Sequence, residues 1–200
     1  AQKAALAHCI KRPLLVVNVL LRNGRALQNL GIRGASLPGH MLQNLNLVSG
    51  IKVGEYRPEW RPEDACVMQF YAAFQAPQPD GLSIVQQHQA ARAHLLSMTF
   101  EDFEREVRGV LNGVLGAGGF DAAEDILAIT VNRWPHGYAR DHLDLEDPAW
   151  NADPPPNVIG RQRFGRIAIA NSDAGADAYT HTAIDQAWRA VNELAELPPS

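Results

Sequence analysis

The chain has 200 residues, 46% hydrophobic and 20% charged, with a formal net charge of −4. That length and balance describe a globular chain able to bury a core, and a pI near 6.0 leaves no basic face for a nucleic acid. No apolar run approaches the roughly 20 residues needed to cross a bilayer.

Ala1 to Lys11 is alanine-rich and reads as a helix closed by Pro13. It opens as if inside a helix and without Met, which suits a fragment, a processed chain or one of two pieces. Leu14 to Leu21, LLVVNVLL, is a continuous apolar run and predicts a strand buried on both faces. Asn23-Gly24 marks a turn. Val48–Tyr56 and Cys66–Phe74 predict two more strands, joined by the exposed connection RPEWRPED.

From Leu82 to Leu115 the apolar period becomes helical, with a break at Met98-Thr99, where Thr99 and Asp102 form an imperfect capping box. Phe103, Val107, Val110, Leu111, Val114 and Leu115 make the second helix's apolar face. The glycines at 116, 118 and 119 end it. Ile126–Trp134 returns to strand character, and Arg140–Ile159 reads as an acidic, proline-rich surface loop. Ile167–Ala170 predicts the last strand. Thr182–Leu197 predicts the last helix, with Ile184, Ala187, Trp188, Val191 and Leu194 on one face. The fold class is therefore mixed α and β, a sheet with covering helices.

Most polar motifs have an ordinary reading. The glycines near 116 follow a helix and lack GxGxxG, so they form no dinucleotide loop. Asp141, Asp144, Glu146 and Asp147 lack the glycine of a calcium loop and read as a solvated acidic stretch. His88 and His94 fall on different helix faces and are expected at the surface, while His8 and His40 show no partner. Cys9 and Cys66 match no metal or redox spacing and are expected as buried free thiols. No metal site is expected.

The stretch GRIAIANSDAGADAYTHTAIDQAWRAV (Gly165–Val191) is different in kind. A strand, a cluster of small and acidic residues and a helix start bring backbone N–H groups and a positive dipole end to one point, suited to an anion or a group that becomes anionic. A well-capped strand–turn–helix would look the same.

This stretch, with ITVNRWPHGYA (Ile129–Ala139) and the front run KRPLLVVNVLLRNGRA, resembles bacterial spermidine dehydrogenase-like, FAD-dependent amine oxidoreductases. More distantly it is similar to the monoamine oxidase class. The resemblance covers roughly the last third of such a protein. It implies a two-domain fold of which residues 1–160 form most of the substrate domain and 161–200 complete the FAD-binding domain. The family's glycine-fingerprint unit is absent, so a separate N-terminal FAD-binding portion is implied as partner. By resemblance, Asn171, Ser172 and Asp173 would line the ribityl and pyrophosphate of FAD, and Thr180, His181, Thr182 and Ala183 would face the flavin N1 and C2=O edge. Thr180-His181-Thr182 stands where the monoamine oxidase class prefers Gly-Ala. Tyr179 would form a wall of an aromatic cage. Trp134, His136 and Tyr138 would sit at the substrate end. Lys11 is the nearest candidate for a lysine near flavin N5, without an assignment.

The implied reaction moves a hydride from the carbon beside a neutral amine, such as spermidine, to flavin N5, and the imine then hydrolyses. Asp141, Asp144, Glu146 and Asp147 would attract a polyamine if they border the entrance. The alternatives are an amino-acid oxidase, for which Arg133, Arg140 and Arg163 could fork onto a carboxylate, a desaturase-like oxidoreductase, and a non-catalytic assembly subunit. The electron acceptor and the compartment, periplasmic or cytoplasmic, are not legible.

Overall fold

The computed structural model describes residues 1–56, 59–75, 81–139, 141, 151 and 153–197. In chain order these form α1 (Gln2–Leu6), β1 (Lys11–Leu21), α2 (Arg25–Leu30), β2 (Gly34–Ser36), β3 (Asn44–Leu47), β4 (Cys66–Ala73), α3 (Ile84–Ser97) and α4 (Phe100–Leu115). A 3-10 turn (Gly116–Gly118), α5 (Ala122–Asp125), β5 (Ile126–Ala139), α6 (Pro156–Gly160), α7 (Ser172–Gly175) and α8 (Thr180–Ala195) follow. The chain divides into two compact units. One contains residues 13–76 and 91–135, the other 1–12, 77–90 and 136–200.

The first unit is built on a five-stranded antiparallel sheet of order β2-β3-β4-β1-β5. Its register pairs Val17 with Phe70 and Val19 with Met68, and Phe70 and Met68 in turn with Leu45 and Leu47. Because strand side chains alternate, one face collects these residues into the core with Leu15, Leu21 and Ala72. Helix α4 adds Phe103, Val107, Val110, Leu111 and Leu115 to that core, at the spacing its sequence shows. Each such side chain contributes about 1.5–3 kcal/mol on burial.

β1 thus departs from the expected strand buried on both faces. Val16, Asn18 and Leu20 are only half-buried. Val16 and Leu20 pair with Tyr71 and Val67, and at Asn18 the neighbouring strands present polar side chains. Gln69 Nε2 donates to Asn18 Oδ1 at 2.9 Å, and Asn18 Nδ2 donates to Thr130 Oγ1 at 3.3 Å, with Asn46 beside Gln69 in register. There a row of hydrogen-bonded polar groups replaces a second apolar layer.

The break at Met98-Thr99 separates α3 from α4 as expected, and both halves of the capping box are present. Thr99 Oγ1 accepts from Asp102 N at 3.3 Å, and Asp102 Oδ2 accepts from Thr99 N at 2.9 Å. The glycine cluster ends the helix through the 3-10 turn, and Gly119 has φ 93°.

Several expectations need correction. The first helix stops at Leu6, and Lys11 to Pro13 already belong to β1. A residue before proline is driven to extended backbone, which carries Arg12 into the strand. Pro13 keeps a ladder bond through its carbonyl, which accepts from Phe74 N at 2.9 Å. Val48–Tyr56 is not a strand: Gly50 and Gly54 at positive φ fold it back, leaving an isolated bridge from Val53 to Tyr56. Ile167–Ala170 is not a strand either. Gly165 turns the chain into a bridge between Phe164 and Ile167, and the Ile169 carbonyl accepts from the Arg189 side chain instead of a strand. His88 is buried, not surface-facing, and His40 Nδ1 lies 3.7 Å from Glu106. Cys66 is buried and Cys9 half-buried, both free. Burial pushes both thiols up, aided at Cys9 by the Asp173 carboxylate and opposed at Cys66 by the nearby Trp60 indole N–H, which makes no hydrogen bond of its own.

In the second unit α8 lies inside out. Its apolar stripe, Ile184, Ala187, Trp188 and Val191, points to solvent, with Trp188 72% exposed. The inner face is polar. Thr182 Oγ1 donates to Asp177 Oδ2 at 2.5 Å, and Arg161 Nη1 reaches Gln186 Oε1 at 3.2 Å and the Ala174 carbonyl at 2.9 Å. Arg189 pairs with Glu193 at 2.6 Å. Burial and the neighbouring Arg189 charge pull the Arg161 guanidinium down, against the opposing Glu193 charge.

Candidate functional site

The cavity that gathers expected site residues lies within the second unit, at the start of α8. It encloses about 480 Å³, and its walls include Arg12, Tyr138, Asp141, Tyr179 and Thr180. That volume falls in the range of small-molecule sites. Three expected residues meet here: Tyr138 from the end of β5, and Tyr179 and Thr180 from the opening of α8.

Local sequence explains the arrangement. Tyr179 is the N-cap of α8, extended at φ −100° and ψ 153°, and its side chain makes no capping hydrogen bond. It is free to stand as a wall and is 64% exposed. Its ring stacks on His181, with centroids 5.7 Å apart and planes at 26°. His181 Nε2 in turn lies 3.9 Å from Asp177 Oδ2, the oxygen that also accepts from Thr182. One carboxylate therefore ties together the first turn that carries the tyrosine. The first N–H groups of this 16-residue helix have no side-chain cap, so its positive end is presented beside Thr180. Asp141 Oδ1 accepts from Ala178 N at 3.2 Å just before that turn, which fixes its carboxylate at the cavity wall.

Sequence reasoning missed Arg12. The run KRP carries no motif, and only the early start of β1 brings Arg12 into the lining that Tyr138 and Tyr179 share. Among the described residues the Arg12 side chain has no ion pair or hydrogen bond, whereas the adjacent Lys11 is held 2.8 Å from Asp173. Two of the three arginines that the sequence offered are elsewhere. Arg133 donates to the carbonyls of Leu96 and Met98, and Arg163 to that of Gly165. Arg140 lies outside the described residues, as do Asp144, Glu146 and Asp147.

The remaining expected residues divide. His136 is exposed and does not line this cavity. Trp134 is exposed on β5 and belongs to the other compact unit. Asn171, Ser172 and Asp173 do not close a strand; they begin the short α7. Asn171 Oδ1 caps it by accepting from Ala174 N at 3.1 Å, and the Asp173 carboxylate is engaged by Lys11. Thr182 is buried with its hydroxyl turned to Asp177, and Ala183 N bonds back to the Tyr179 carbonyl at 3.3 Å. Of the residues that the resemblance assigns to the flavin edge, Thr180 lines the cavity, and the uncapped helix start there suits a group that becomes anionic. Asp173 is engaged by Lys11 through Oδ2 alone, so its carboxylate keeps acceptor capacity for a hydroxyl.

Among the described residues no cluster of three potential metal ligands occurs, and no helix is long and apolar enough to cross a membrane. No protein-family model matches the chain, and a search of curated proteins finds none similar to it.

Proposed function

We propose that this chain is part of an FAD-dependent amine oxidoreductase and that the cavity at the start of α8 receives the amine. The observation that carries the reading is the convergence of Tyr138, Tyr179 and Thr180, expected from two separate motifs, on one cavity beside an uncapped helix start. FAD, when bound, would take up the hydride from the carbon beside the amine nitrogen. The protein's own part is positioning. Two tyrosine rings offer stacking and cation–π faces, and the Asp141 carboxylate attracts a protonated amine toward them. The first N–H groups of α8 stabilise negative charge that develops at the helix end. Spermidine is the first substrate to test, and α-amino acids are amines that the same reading admits. A separate FAD-binding portion completes the protein.

The test is direct. The complete encoded protein should carry flavin absorbance and, with an artificial electron acceptor, turn over spermidine, putrescine or an L-amino acid. Tyr179→Ala should lower kcat/KM by about 10-fold or more while the protein stays folded, in line with the loss of a desolvated cation–π wall of about 2 kcal/mol. Absence of flavin, or equal activity in the variant, would overturn the reading.

A further inference from the structure

The structure assigns to Arg12 the recognition of a carboxylate, making the ligand of this cavity an amine that also carries an acid group, with an apolar or aromatic body. The inference rests on the reading of this cavity as the amine's place, but not on flavin chemistry.

Arg12 is half-buried, and nothing else among the described residues neutralises it. Its neighbour Lys11, on the same strand start, shows what this region does with a cation when an acid is available: it pairs at 2.8 Å with a carboxylate only 14% exposed. Arg12 has no such counter-ion among the described residues and forms a wall of a 480 Å³ cavity with Tyr138 and Tyr179. A guanidinium is planar and matches a carboxylate with two parallel N–H donors. On the same wall set, Asp141 spends one oxygen on Ala178 N and makes no ion pair among the described residues, leaving acceptor capacity for an ammonium. No Arg12–Asp141 ion pair closes the cavity on itself, so both charges remain available to a ligand of opposite pattern. The tyrosine rings of the same lining offer apolar faces with polar tips.

A polyamine matches this wall poorly. It would bring only positive charge to a cavity whose most prominent unsatisfied group is a cation. An aromatic amino acid satisfies both charged walls and the rings together.

The experiment measures anaerobic binding to the complete encoded protein by calorimetry with three molecules of one skeleton: L-phenylalanine, phenethylamine, which lacks the carboxylate, and 3-phenylpropionate, which lacks the amine. Spermidine is the fourth arm. L-Phenylalanine should bind tightest. Arg12→Gln should weaken L-phenylalanine and 3-phenylpropionate on the order of 10- to 100-fold, leaving phenethylamine unchanged, as expected for a lost charge-assisted hydrogen-bond pair. Arg12→Lys should recover part of that loss. Circular dichroism establishes that the variants are folded; if Arg12→Gln is not, the ranking of the four ligands on the native chain decides alone. Spermidine or phenethylamine binding at least as tightly as L-phenylalanine would overturn the inference, and so would an Arg12→Gln effect equal on all four. An Arg12→Gln protein that loses flavin but keeps its amine ranking would likewise assign Arg12 to the cofactor and overturn it. Amine oxidation that fails while the carboxylate preference holds would sink the oxidase reading and leave this one standing.

Discussion

The seating of α8 can be tested through one close approach. Gly175 ends α7, and a methyl group placed there would lie well under 3.0 Å from Thr182 Cγ2, while Gln186 Nε2 stays at an ordinary 3.4 Å. Gly175→Ala should therefore destabilise by about 1–3 kcal/mol through overpacking, slightly offset by the lower entropy of the unfolded alanine chain. Thr182→Ser removes the one carbon in the way and keeps the hydroxyl that donates to Asp177. Alone it should cost about 0.8 kcal/mol for the lost methyl. Combined, the two changes should be less damaging than their sum by at least ~1 kcal/mol, because the clash no longer exists. Urea unfolding of the four proteins closes the cycle, with thermal midpoints expected to move about 2–4 °C per kcal/mol for a chain of this size. Additivity within about 0.5 kcal/mol would show that α7 and α8 do not meet at this point.

Further outcomes follow from other contacts. Gly118→Ala would set a methyl group 2.6 Å from the Ala26 carbonyl oxygen and 2.9 Å from Leu30 Cγ, and should cost about 1–3 kcal/mol by thermal denaturation, since backbone cannot yield as a side chain can. Thr99→Ala should cost about 0.5–2 kcal/mol, read as faster amide exchange in the first turn of α4. Hydrogen bonds from the Thr99 backbone and then its side chain hold the Asp102 carboxyl below its usual range. Its folded value being depressed, its contribution is present at neutral pH and lost as pH falls through that value. Asp102→Asn should accordingly lower stability at pH 7 and converge with the native protein in acid. Trp188→Gln, on the exposed stripe of α8, should leave stability within about 0.5 kcal/mol while reducing hydrophobic-dye binding.

The elements legible in the sequence were those whose information is local. The capping box at Thr99, the six-residue apolar face of α4 and the glycine stop at 116–119 depend on neighbours a few residues apart, and all occur as read. β4 and β5 were legible for the same reason. What failed depended on distant partners. LLVVNVLL promised two covered faces, but coverage of the second face was decided by residues on β4 and β3, far away in sequence. IAIA had strand composition but no strand beside it, and its carbonyl went to Arg189. At the candidate site, aromatic and helix-start residues announced themselves, while Arg12 required knowing where β1 begins. That Asp173 pairs with Lys11 likewise required knowing where β1 begins.

The inverted setting of α8 has a consequence for how the chain end comes loose. Its seam is made of guanidinium, amide and hydroxyl contacts, so peeling it away would wet little hydrocarbon. Release of that segment would then leave barely a calorimetric or denaturant trace, because heat capacity and m-value both scale with newly wetted area. The sheet would dominate every bulk melting curve, and only a residue-level probe on the terminal helix would register its departure.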